Sequence, residues 1–146
     1  MYNTDMPKFI FNKLVRDKIV DQQIASGADP LYYTLDPTEH AEALVAKILE
    51  EAQEIPVSDR DEAVKEIADV QQALDDLKAV LGLDDEEIAN AQAVKNERAG
   101  AFANGLFVES VTVDEGDKWV DYYRKHPDRY PEVDDEVPPT ASRKRH

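Results

Sequence analysis

The chain has 146 residues and no cysteine. Disulfides and thiolate metal sites are therefore excluded. Glycine is scarce, at five residues, which suits a globular and mostly helical protein. Positive charge is also in short supply. Lys and Arg total 17 against 32 Asp and Glu, a net charge of −15. That balance argues against a nucleic-acid binder, which needs a basic footprint. No apolar run approaches the roughly 18 residues of a membrane helix. The opening residues, Met1 to Asp5, lack the basic and apolar regions of a signal peptide. The expectation is a cytoplasmic protein with neither nucleic acid nor membrane as partner. The length suits one domain, or one domain with a tail.

What charge there is falls unevenly. From Glu39 to Glu97 there are 17 acidic and 5 basic residues. The segment 8–18 runs the other way, with Lys8, Lys13, Arg16 and Lys18 against Asp17 alone. A basic segment beside an acidic middle suits either a solvated surface of mixed sign or a site that holds a polyanion partly by cations and partly through a metal.

Hydrophobic spacing places the elements. Phe9–Val15 and Leu31–Leu35 read as short extended pieces, with a short helix over 17–26 between them. Asp36-Pro37-Thr38-Glu39 carries the signals of a helix start: a cap, a proline at the first position, and an acid three residues after the cap. That helix runs to Ile55 with an apolar stripe at Ala41, Leu44, Val45, Ile48, Ala52 and Ile55. A second starts with Ser58 as cap and ends at Gly82, its stripe including Val64, Ile67, Val70, Leu74, Leu77 and Leu81. A third is capped by Asp84 and stops near Gly100. Residues 106–113 read as extended, and 116–125 as a last helix with Trp119, Tyr122 and Tyr123. These elements make one domain over 1–130, with an aromatic extension from about 114. Residues 131–146, rich in proline and then basic, read as a disordered tail.

Two adjacent helices each carry acids three apart, Glu51 with Glu54 and Glu66 with Asp69, and such residues share a helix face. At about 100° per residue, Glu51 and Glu66 lie roughly 60° from their stripe centres, and Glu54 and Asp69 roughly 120°. The linker is short, so the helices should be antiparallel neighbours with all four carboxylates on one edge. Any two carboxylates about 5 Å apart, at an effective dielectric near 20, repel by about 3 kcal/mol. Four of them need a cation or shared protons. Oxygen-only ligands favour Mg²⁺ or Mn²⁺. Lys47, one turn before Glu51, falls on the same strip.

These residues resemble a known family. Glu51-x-x-Glu54 followed by Glu66-x-x-Asp69 is similar to the ExxE…ExxD signature of the all-α nucleoside triphosphate pyrophosphohydrolases, which include the MazG-like enzymes, the dimeric dUTPases and phosphoribosyl-ATP pyrophosphohydrolase. Lys13-Leu-Val-Arg16-Asp-Lys18-Ile resembles the opening of one MazG-like branch, and Lys95-x-x-Arg98-x-Gly100-x-Phe102 its closing motif. Val20 stands where that branch usually has proline after the opening motif.

The resemblance implies an all-α antiparallel helical bundle acting as a homodimer or homotetramer. It implies Mg²⁺-dependent cleavage of an NTP or dNTP between the α and β phosphates, giving nucleoside monophosphate and pyrophosphate. Carried over by position, Glu51, Glu54, Glu66 and Asp69 hold the metal. Glu50 stands just outside them, and Glu51 or Glu54 acts on the attacking water. Lys13, Arg16, Lys18, Lys47, Lys95 and Arg98 are the expected substrate-binding cations. The alternatives are phosphoribosyl-ATP hydrolysis, or a helical interaction module without catalysis.

Overall fold

The structure is a computed structural model that describes residues 6–134; the rest of the expected tail, 135–146, lies outside the described residues. Among the described residues every regular element is a helix: α1 (Ile19–Ala25), α2 (Pro37–Gln53), α3 (Arg60–Leu81), α4 (Asp85–Ala99) and α5 (Trp119–Lys125). Residues 31–35 and 106–113 form no strand. A strand needs a partner strand to bond with, and these largely exposed segments have none among the described residues, where solvent can take their backbone groups. The all-α expectation holds.

Local chemistry explains the helix ends. The Asp36 carboxylate accepts the Glu39 amide proton at 2.8 Å, and Pro37 occupies the first turn, where its missing N–H costs nothing. At the start of α3 the cap is Asp59, not Ser58: its carboxylate accepts from the Glu62 amide at 3.2 Å. The chain leaves its proline turn one residue later than the spacing alone suggests, because Asp59 N–H is already bonded to the Pro56 carbonyl. α4 opens with a reciprocal box, in which Asp84 accepts from the Glu87 amide at 2.7 Å and Glu87 from the Asp84 amide at 3.1 Å. α3 ends on Gly82, whose φ of 69° is the left-handed conformation that glycine adopts freely.

Two compact units divide the chain, one ending at Arg98 and the other beginning at Ala99. In the first, α2 packs on α3. The inward row of α2 is Ala41, Leu44, Ile48 and Glu51, continued just past the helix end by Ile55; that of α3 is Ala63, Glu66, Val70, Ala73, Leu77 and Val80. Both rows step by three and four, as a helix seam requires. Leu44 is 3% exposed and Ala73 6%; burying a leucine side chain contributes about 1.5–3 kcal/mol. The second apolar row of α3, with Val64, Ile67, Leu74 and Leu81, stays exposed, as do Val45 and Leu49 of α2.

In the second unit, Val120 of α5 is buried. The rings of Trp119, Tyr122, Tyr123 and Tyr130 gather there, with centroids 5.0–6.3 Å apart. Arg124 clamps the flanking loops, donating to Glu115 at 3.0 Å and to Glu132 at 2.8 Å. The expected helix over 116–125 begins only at Trp119, whose amide donates to Asp117 at 2.8 Å.

Loss of a capping carboxylate costs about 1 kcal/mol. Asp59→Ala is expected to lower the melting temperature by several degrees, while Ser58→Ala leaves it unchanged. Thermal denaturation of the two variants checks this.

Candidate metal and phosphate site

The α2–α3 seam is interrupted by carboxylates. Glu51, from the last turn of α2, is buried at 8% exposure. Glu66 and Asp69, one turn apart near the start of α3, are half-buried. One oxygen from each of Glu51, Glu66 and Asp69 lies within 4.8 Å of the others. Glu51 and Glu66 therefore occupy the packed seam itself and not a flank some 60° away. The stripe centres drawn from sequence averaged two apolar rows of each helix, and only one row of each is used in the chain's own packing.

Such crowding changes how the acids hold protons. Glu66 is pushed above the usual carboxylate value of 4.5, first by a hydrogen bond shared with Glu51, then by burial, then by the charges of Glu51, Glu54 and Asp69. Two carboxylates share a hydrogen bond only when one carries the proton. If all are ionised, the buried Glu66 Oε2 has no partner at all. An orphaned acceptor beside two other carboxylates matches what a hard divalent cation requires: several oxygens and surplus negative charge. The donor set thus fits Mg²⁺ or Mn²⁺, and Glu51, Glu66 and Asp69 are the residues that would hold it.

Glu54 stands apart. It is the C-terminal cap of α2, it is exposed, and it reaches Glu66 only through its charge. Glu50 is outside the three and is gripped by Lys13 at 3.4 Å and Lys47 at 3.3 Å. Burial raises its pKa, but the hydrogen bonds and charges of the two lysines outweigh burial and hold it below the usual range. Lys47 also donates to Glu51 at 3.2 Å. Burial lowers the Lys47 pKa, and its bonds to Glu51 and Glu50 more than reverse that.

The basic segment 8–18 arrives from outside the helices. Asn12 turns it through a φ of 45°, a conformation asparagine tolerates. Leu14 and Val15 are half-buried, and Arg16 meets Asp69 at 2.5 Å. Together these walls enclose a cavity of about 700 Å³ that Arg16, Lys18, Lys47, Glu51 and Asp69 all line. Ligand sites typically occupy about 300–1,000 Å³. The far wall carries His40, Gln22, Gln72 and Asp76. His40 reads as a surface residue by sequence. Its place, one helical turn before Leu44 on the inward side of α2, was the available signal. Lys95 and Arg98, on α4, are exposed and do not line this cavity.

No family model, curated protein or solved structure matches the chain.

The raised Glu66 pKa yields a test. A group whose folded pKa is raised stabilises the fold below its unfolded value, and that contribution is lost as pH rises through the folded value. At pH 7 the ionised Glu66 is therefore a liability in metal-free protein. Glu66→Gln is expected to raise the metal-free melting temperature at pH 7. The gap should close as pH falls towards 4.5, the ordinary value. Melting curves from pH 4 to 7 in a chelator check it.

Proposed function

We propose that this chain is a Mg²⁺-dependent nucleoside triphosphate pyrophosphohydrolase, cleaving an NTP or dNTP between the α and β phosphates. The observation that carries the reading is the three-carboxylate group with the orphaned Glu66 oxygen, two of whose members, Glu51 and Asp69, line a cavity also lined by Arg16, Lys18 and Lys47. Acids alone would repel a polyphosphate. Acids able to hold a divalent cation, faced by three side-chain cations, can take one up.

A bound Mg²⁺ or Mn²⁺ would neutralise phosphate oxygens and the charge that develops on the departing pyrophosphate. The rest falls to the chain. Lys47, fixed beside Glu51, keeps the carboxylates from repelling one another outright. Arg16 and Lys18 face the cavity and are placed to bind phosphate, the guanidinium through paired N–H donors. The Glu51–Glu66 pair is the natural place to accept a proton from the attacking water, and exposed Glu54 stands next to it. Lys13 acts through Glu50. Lys95 and Arg98 take no part in this cavity within the chain.

The architecture proposed with this function is an antiparallel helical bundle. Supporting it, Glu51 and Glu54 act on Glu66 near the start of α3, while Leu44 and His40, earlier in α2, share the cavity wall with Gln72, Ala73 and Asp76 further along α3. A homodimer or homotetramer is proposed as well. The exposed row Val64, Ile67, Leu74 and Leu81 runs along a helix at core spacing, and its apolar surface needs a partner.

Incubation with a panel of ribo- and deoxyribonucleoside triphosphates and Mg²⁺ is expected to release pyrophosphate and monophosphate. Orthophosphate as first product would rule out α–β cleavage. Absence of any turnover would favour an interaction module. Removing outer-shell partners of a metal typically costs about 10- to 100-fold, so loss of a ligand in Glu66→Gln should reduce turnover at least that much, with helix content by circular dichroism unchanged.

A further inference from the structure

The cations around the carboxylates are held in different ways. Lys47 sits on α2 one turn from Glu51, its side chain 22% exposed, and reaches both Glu50 and Glu51. It cannot withdraw far while the helix stands. Lys13 binds Glu50, which is outside the three-carboxylate group. Arg16 differs from both. It pairs with one of the three, Asp69, from 53 residues away in sequence, with its side chain 61% exposed. Its segment, 6–18, has neither helix nor strand.

We propose that Arg16 is a displaceable counter-ion: it neutralises Asp69 while no divalent cation is bound, and turns to the substrate's phosphate once a cation takes that carboxylate. This rests on the pyrophosphohydrolase reading of the site and adds an order of events to it. The physical basis is competition for one group. A carboxylate that donates electron density to a metal has less to offer a guanidinium, and the same planar fork that fits a carboxylate fits a phosphate. Exposed ion pairs of this kind are weak enough to exchange. Lys13 on Glu50, and half-buried Leu14 and Val15, keep the segment seated, so the Arg16 side chain alone has to turn. Lys18, on the same cavity wall, needs no rearrangement. Metal then precedes nucleotide, because only an occupied site frees the arginine.

The test separates two affinities in the full-length protein. Mn²⁺ binding is measured by calorimetry without nucleotide, and inorganic pyrophosphate binding at saturating Mn²⁺. Arg16→Ala is expected to bind Mn²⁺ on the order of two- to fivefold more tightly, since a competitor is gone. It should bind pyrophosphate about tenfold more weakly, since a charged donor is gone. A merely structural arginine would move both affinities in the weaker direction. Unchanged or weaker Mn²⁺ binding, or unchanged pyrophosphate binding, overturns the proposal and leaves the metal site standing. Failure of the wild-type protein itself to bind Mn²⁺ sinks the pyrophosphohydrolase reading and the exchange with it. Arg16→Gln keeps most of the side-chain length should the alanine variant misfold. In the wild-type chain, tryptic cleavage after Arg16 should quicken on adding Mn²⁺ and slow again with pyrophosphate; an unaltered rate also counts against the exchange.

Discussion

Like charges brought together in a helix seam need something to offset them, and that need organises this protein. The α2–α3 contact places Glu51 and Glu66 at positions where an ordinary helix pair would set leucine or isoleucine. Asp69 joins them one turn along. Apolar packing at Leu44 and Ala73 holds the helices close enough that the carboxylates cannot simply move apart. The crowding pushes the Glu66 pKa up, and cations gather beside the acids.

Those cations form a graded shell. Lys47 belongs to the helix and serves two acids at once. Lys13 ties the irregular N-terminal segment to Glu50. Arg16 is the most exposed of the three and engages Asp69 directly. The most exposed of these counter-ions sits on a segment without helix or strand, held by a few side chains and no ladder of hydrogen bonds. The apolar interior supporting the site is thin: Leu44 and Ala73 are the hydrophobic residues buried among the described residues of this unit. Burial left undone within one chain is available between chains, and the unused row of α3 lies on the element that carries half of the acids.

The second unit follows separate rules. Its order comes from aromatic rings packed edge to face and from one arginine spanning two loops. Five aromatic and imidazole rings engage one another there, around the buried Val120, while Trp119, Tyr122 and Tyr130 keep part of their surface exposed.

Much of this was legible from residues alone. Helix starts at Asp36 and Asp84 and the stop at Gly82 follow from chemistry confined to a few neighbouring residues, and there the reading held. Periodicity located the helices, while the all-helical class came from the resemblance, since the sequence also read 31–35 and 106–113 as extended. Ser58 was mistaken for the cap because a serine and an aspartate side by side offer equal signals, and only the preceding proline turn chooses between them. The pairing of Glu51 with Glu66 was foreshadowed by their matched angular offsets, but their depth was not. Both long helices carry two apolar rows, and a sequence does not say which row faces a neighbour in the same chain. Nor does a list of lysines and arginines say which carboxylate each will meet: Arg16 and Asp69 are 53 residues apart. Local hydrogen bonding fixed where the helices begin and end. The choice of seam, which requires weighing one packed face against another across the whole unit, was made by tertiary structure, and with it which acids are buried and which cations guard them.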